Sequence, residues 1–171
     1  PTLENRLTIR GAFPVFAYRQ DDVALRGVDF LWHQGIHHSW EINTKAAYVK
    51  GSYTDGSGDL IYMPPFRVST ELARTFEPFW GIKDLRAGID VQYTARAAAN
   101  TRIKDYAAPP PAWLLAGLAL GAKYEKGGLH TAFQLTVDNV FNTKYRDYLN
   151  RLRYFADDLG RNIRMSIKLI F

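Results

Sequence analysis

Apolar and polar residues alternate along most of this chain. Leu85, Ala87, Ile89, Val91, Tyr93 and Ala95 interleave with Arg86, Gly88, Asp90, Gln92, Thr94 and Arg96. A period of two puts one set on each face of a β-strand. The same reading applies to Trp40, Ile42, Thr44, Ala46 and Tyr48, and to Phe66, Val68, Thr70 and Leu72. Leu114, Ala116, Leu118, Leu120 and Tyr124 face away from Leu115, Gly117, Ala119, Gly121 and Lys123, and Leu129, Thr131, Phe133, Leu135 and Val137 face away from His130, Ala132, Gln134, Thr136 and Asp138. The chain closes on Met165, Ile167, Leu169 and Phe171, set against Arg164, Ser166, Lys168 and Ile170. Toward the start, Leu3, Leu7 and Ile9 mark the tail of a strand that Gly11 and Pro14 break. Residues 15–20 then lead into 23–32, where the phase shifts around Arg26 and Gly27 as it does at a β-bulge. About eight strands are predicted in all.

The connections alternate in length. Residues 33–39, 77–84 and 125–128 are short links, while 51–65, 97–111 and the stretch before the last strand are long and carry Gly, Pro, Ser and Asp. That alternation, with a polar and an apolar face on each strand, is the pattern of an antiparallel transmembrane β-barrel with short periplasmic turns and long outer loops.

Composition narrows the choice. The chain is 47% hydrophobic, yet those residues are spread in alternation, and its longest apolar run, 112–122, contains Gly117 and Gly121. That is about half the roughly 20 residues a membrane helix needs. Without cysteine, neither disulfides nor thiolate-held metal are available. An aromatic content of 14% includes Trp32, Trp40, Tyr48, Trp80, Tyr93, Trp113 and Tyr124 near predicted strand ends, the positions of a barrel's interfacial girdle. Two other architectures share much of this pattern. A self-contained eight-stranded outer-membrane barrel, structural or lipid-modifying, matches the strand count, and a soluble ligand carrier would carry the same alternation with its faces reversed.

The net charge of +5 and the basic pI of about 9.5 invite comparison with nucleic-acid binders. Arg86, Arg96, Lys123 and Lys168 instead fall singly at alternate strand positions, as in a polar lumen, so no nucleic-acid partner is expected. His33, His37 and His38 are read as polar turn residues rather than metal ligands. Ser69, Asp90 and His130 have no spacing that ties them into a catalytic set, and neither an enzyme nor a cofactor is expected. Arg146, Tyr148, Arg151, Arg153 and Tyr154 crowd the last long connection beside Asp147 and Asn150. They are candidates for contact with an anionic ligand at the outer mouth, or with lipopolysaccharide headgroups.

Residues Val137-Asp138-Asn139-Val140-Phe141-Asn142-Thr143-Lys144-Tyr145, followed by Gly160-Arg161-Asn162 and the terminal Phe171, resemble the C-terminal signature of TonB-dependent outer-membrane receptors, V-x-N-L-F-[DN]-x-x-Y, with Val140 where Leu is usual. Gly27-Val28-Asp29 is similar to that family's G-[VA]-E, with Asp for Glu. Met63-Pro64-Pro65-Phe66-Arg67 resembles its L-x-x-x-P-x-[HR] strand start. The resemblance implies an all-β fold in which residues 1–171 are the C-terminal segment of a larger barrel of roughly 22 strands, the plug domain lying outside this stretch. It also implies partners: outer-membrane lipid and lipopolysaccharide, TonB through the plug, and the barrel-assembly machinery, which would read Ile167, Leu169 and Phe171 as an assembly signal. The implied activity is energised uptake of a scarce solute by the full-length protein: an iron-siderophore, haem, cobalamin or a metal ion.

Overall fold

A computed structural model describes residues 2–8, 11–37, 39–102, 104–126 and 128–170. The described residues are all-β. Strands β1 (Thr2–Thr8) and β2 (Gly11–Arg19) pair in a separate two-stranded sheet, and β3 (Val23–His37), β4 (Trp40–Tyr53), β5 (Arg67–Thr75), β6 (Ile82–Thr94), β7 (Trp113–Lys126), β8 (Leu129–Asp138) and β9 (Asn162–Ile170) form one seven-stranded antiparallel sheet in chain order. Each strand of that sheet pairs with the next along the chain, so every connection is a hairpin. The sheet is open, with β3 and β9 at its two edges, and is not closed into a barrel among the described residues.

Cross-strand register decides which residues share a face, because residues directly opposite each other in an antiparallel pair point the same way. One row runs Ile42, Leu72, Ile89, Leu118, Val137, Ile163 across six strands. The neighbouring row holds Asn43, Glu71, Asp90 and Gly117. The alternation in the sequence therefore becomes one apolar and one polar face on the whole sheet, and Ile89, Val91, Leu118, Leu135, Ile167 and Leu169 fall opposite Asp90, Gln92, Gln134 and Lys168. Among the described residues nothing packs over the apolar face: Ile89 is 52% exposed, Ile163 64% and Met165 66%.

Several boundaries differ from those the pattern predicts. Pro14 lies inside β2, near the irregularity between the Arg6–Val15 and Thr8–Gly11 pairs. Either strand of a two-stranded sheet is an edge, and an edge tolerates a residue without an N–H. The bulge expected at Arg26 and Gly27 is absent; pairing runs unbroken from Val23–Tyr53 to Gly35–Glu41 and shifts only between Gly35 and His37. Gly27 serves close approach instead, since a Cβ there would stand 3.0 Å from the Tyr48 carbonyl oxygen. Strands β3 and β4 also outrun the hydrophobic pattern, because ladder hydrogen bonds continue where polar residues take over. His33 and His37 consequently sit on β3 rather than in a connection, and His38 lies outside the described residues.

The alternation of connections survives these shifts. Residues 38–39, 76–81 and 127–128 link strands at one end of the sheet, and the long stretches 54–66, 95–112 and 139–161 all gather at the other. There the buried apolar side chains concentrate: Tyr53, Ile61, Ala97, Trp113 and Tyr148. Trp113 departs from the expected girdle. Its neighbour Leu114 pairs with Tyr93 on the apolar face, which turns Trp113 to the polar side, where it is buried against the Tyr145 ring at 4.7 Å.

Candidate functional site

The site is the end of the sheet where the three long connections meet. It begins at Asn139, immediately after β8, where the backbone takes a left-handed turn (φ 50°). Asparagine adopts that conformation more readily than most residues because its short amide can bond locally. The Asn139 Nδ2 donates to the Thr143 carbonyl at 2.9 Å and to the Leu159 carbonyl at 3.4 Å, while its Oδ1 accepts from the Thr143 N–H at 2.8 Å. One buried side chain thus binds both ends of the connection. Asn142 is left-handed as well (φ 54°), and its Oδ1 accepts from the Arg161 N–H at 2.9 Å. Arg161 Nε returns to the Val140 carbonyl at 2.8 Å. The motif residues Asn139, Val140, Asn142 and Arg161 accordingly form the collar that starts β9 beside β8.

Beyond the collar the connection folds on itself. The Asp147 N–H and Asn150 Nδ2 both donate to the Asp158 carboxylate, each at 2.7 Å, and Arg146 Nε donates to Asp157 Oδ1 at 2.6 Å. Asn150 then caps a short 3-10 turn, Arg151–Tyr154, by accepting from the Leu152 N–H at 3.0 Å. With about three residues per turn, this segment sends Arg153 inward and leaves Leu152 and Phe155 exposed.

Arg153 is only 3% exposed. Its guanidinium lies between two phenol rings, 4.7 Å from the centroid of Tyr148 and 4.5 Å from that of Tyr154, and it pairs with Asp105 of the 95–112 connection. Asp105 also accepts from the Tyr154 hydroxyl at 2.5 Å, the Tyr62 hydroxyl at 3.1 Å and the Tyr106 N–H at 2.7 Å. A buried carboxylate is tolerated when its lone pairs are met in this way. The Tyr148 hydroxyl accepts from the Tyr62 N–H at 3.3 Å, and Tyr62 and Tyr154 hydroxyls stand 2.9 Å apart. Burial, and after it the hydrogen bond with Tyr62, pushes the Tyr154 phenol well above its ordinary pKa. Burial also raises Tyr148.

The structure therefore brings together Tyr148, Arg153 and Tyr154 of the sequence candidates, with their polar atoms directed at one another and at Tyr62 and Asp105. Arg146 is held by Asp157 and by the Arg153 carbonyl, to which its Nη1 donates at 2.9 Å. Arg151 is exposed on the outer side of the turn. A comparison with protein-family models, curated proteins and solved structures finds no match. The site is thus understood from its own geometry. A hollow of about 400 Å³ adjoins the cluster, walled by Pro109, Pro110, Tyr145, Arg146, Arg153 and Tyr154. Tyr62 and Asp105 are partners that sequence reasoning did not single out; each sits in a different connection from Arg153, and no local spacing relates them.

The remaining candidates lie on the sheet. Ile167 and Leu169 stand opposite Phe133 and Thr131 on the apolar face, and Phe171 lies outside the described residues. His33 Nδ1 bonds Asn43 Oδ1 at 2.5 Å on the polar face. No group of three or more His, Cys, Asp or Glu placed to hold a metal occurs among the described residues. At the short-turn end, Arg74 spreads over the Trp40 and Phe76 rings at 5.4 and 4.8 Å, covering apolar surface with its stem and ring contacts while keeping its charge at the rim.

Proposed function

We propose that this chain is the C-terminal segment of a TonB-dependent outer-membrane receptor barrel. In the full-length protein it contributes to energised uptake of a scarce solute, an iron-siderophore, haem, cobalamin or a metal ion, and has no catalytic role. The observation that carries the reading is the uncovered apolar face running across the seven-stranded sheet, opposite a polar face that holds Asn43, Glu71, Asp90, Gln134 and Lys168. Exposed to water, such a face would be an aggregation surface; against lipid it is the outer wall of a barrel. Its extent is of the right order: from Trp40 to Tyr48 along β4, at about 3.3 Å per residue, the face runs roughly 26 Å along the strand, which at a barrel strand's tilt of roughly 40° is about 20 Å of height, against the 25 Å or so of a barrel's apolar band. The gathering of every long connection at one end supports the same orientation, with short turns toward the periplasm. The edges of the open sheet then pair with further strands of the same barrel, and TonB acts through a plug outside this segment.

Nitroxide labels at Ile89, Leu118 and Ile167, compared with labels at Asp90, Gln134 and Lys168 in the protein embedded in bilayers, test the reading. Preferential quenching of the first set by a lipid-soluble relaxant is expected. Quenching of the second set alone would mean that the faces are reversed, as in a soluble carrier, and would remove the receptor assignment.

A further inference from the structure

We infer that Arg153 is the pin of a latch that fastens the three long connections into one cap, which opens as a unit rather than loop by loop. Each pair of connections is joined. Residues 54–66 and 95–112 share backbone bonds, Asp59 N–H to the Asn100 carbonyl at 2.9 Å and Arg102 N–H to the Asp59 carbonyl at 3.3 Å. Residues 54–66 and 139–161 meet at Tyr62, whose N–H reaches the Tyr148 hydroxyl and whose own hydroxyl reaches that of Tyr154. Residues 95–112 and 139–161 meet at the Arg153–Asp105 pair and the Tyr154–Asp105 bond. The three connections are thus joined pairwise, and the Tyr62 hydroxyl's bond to Asp105 at 3.1 Å brings all three together at Tyr62, Asp105, Arg153 and Tyr154.

Burial makes this vertex different from the other ties. The side chains of Arg153 and Asp105 are 2% and 6% exposed, whereas the Arg102–Asp55 pair, which also links two connections, is 31% and 58% exposed. An exposed pair exchanges freely with water and holds little. A buried pair cannot be half opened, because separating it in place leaves an uncompensated charge out of water. The Tyr62 and Tyr154 hydroxyls both donate to Asp105, with their oxygens 2.9 Å apart, so moving one connection away strands groups on the other two. Arg153 and Tyr154 also wall the 400 Å³ hollow, and its shape therefore changes with the state of the latch.

The test is amide hydrogen exchange on the full protein in detergent, comparing the natural sequence with Asp105→Asn, which keeps the shape and removes the charge that meets Arg153. The amides of Asp59, Tyr62, Arg102 and Asp158 are expected to exchange faster together, by about a hundredfold, with the strand amides of β6, β7 and β8 unchanged. Faster exchange confined to 95–112 and 139–161, with the Asp59 amide unaffected, would show a local contact instead of a latch, as would no acceleration at all. If Asp105→Asn fails to fold, Tyr62→Phe makes the same discrimination, since it removes one oxygen shared by Asp105 and Tyr154. A smaller but joint acceleration in all three connections is expected there, and acceleration in one connection alone overturns the proposal.

Discussion

Gly160 is where it is because of Asn142: a Cβ on residue 160 would lie 2.5 Å from the Asn142 Oδ1 that accepts the Arg161 N–H. The glycine lets the returning chain pass close enough for that bond, which sets the first residue of β9 against the end of β8. Gly160→Ala should push the amide aside and cost about 1–3 kcal/mol. Asn142→Gly, which keeps the left-handed turn but removes the acceptor, should cost a similar amount. Equilibrium unfolding in detergent, read by loss of the heat-modifiable folded band, measures both; an unchanged midpoint for both variants would rule out this role.

Asn139 offers a sharper separation of backbone from side chain. Its φ of 50° makes Gly the residue that keeps the turn, whereas Ala adds strain to the loss of the Thr143 and Leu159 bonds. Asn139→Ala should therefore destabilise more than Asn139→Gly, by about 1 kcal/mol. Equal losses would mean that the hydrogen bonds alone matter.

On the proposed reading the apolar face meets lipid, where a charge is expensive. Arg in place of Leu118 or Leu135 should lower stability by roughly 2–4 kcal/mol if the site is near the bilayer midplane, while Gln134→Arg on the polar face should change it little. Denaturant titrations of the three variants in the same lipid decide the matter, and equal effects on both faces would count against a bilayer.

High pH should loosen the cap. The neutral form of Tyr154 is favoured in the folded protein, first by burial and next by the Tyr62 hydrogen bond. Its contribution is intact below the ordinary phenol pKa of about 10 and is lost as pH rises through the higher folded-state value. Phenolate absorbance should show a late-titrating component that shrinks in Tyr154→Phe, the part due to Tyr148 remaining. A titration curve identical in the variant would show that Tyr154 ionises with the exposed tyrosines.

Assembly should depend on β9 and the aromatic after it. Ile167→Asp and Leu169→Asp place charge on the apolar face, and Phe171→Ala removes the aromatic expected of an assembly signal; each should sharply reduce folded protein in the outer membrane. Unaltered amounts of heat-modifiable barrel in all three would exclude that signal.

Strand existence and the two faces of the sheet were legible along the chain because side-chain direction in a strand repeats every two residues, a local property that Ile89 and Asp90 already display. The clustering of long connections was legible too, since hairpin-linked antiparallel strands put alternate links at opposite ends. The turn at Asn139 and Asn142 showed itself as a motif, although only the folded connection explains it, through the carbonyls of Thr143 and Leu159 and the N–H of Arg161. Tertiary structure alone decided the rest. Ladder bonds carried β3 through His37 and β4 through Tyr53, the Leu114–Tyr93 register turned Trp113 away from the apolar face, and Arg153 found Asp105 at a separation of 48 residues. Periodicity reports which way a side chain points from its own strand, but the partner that neutralises a buried charge is set by how separate connections fold over one another.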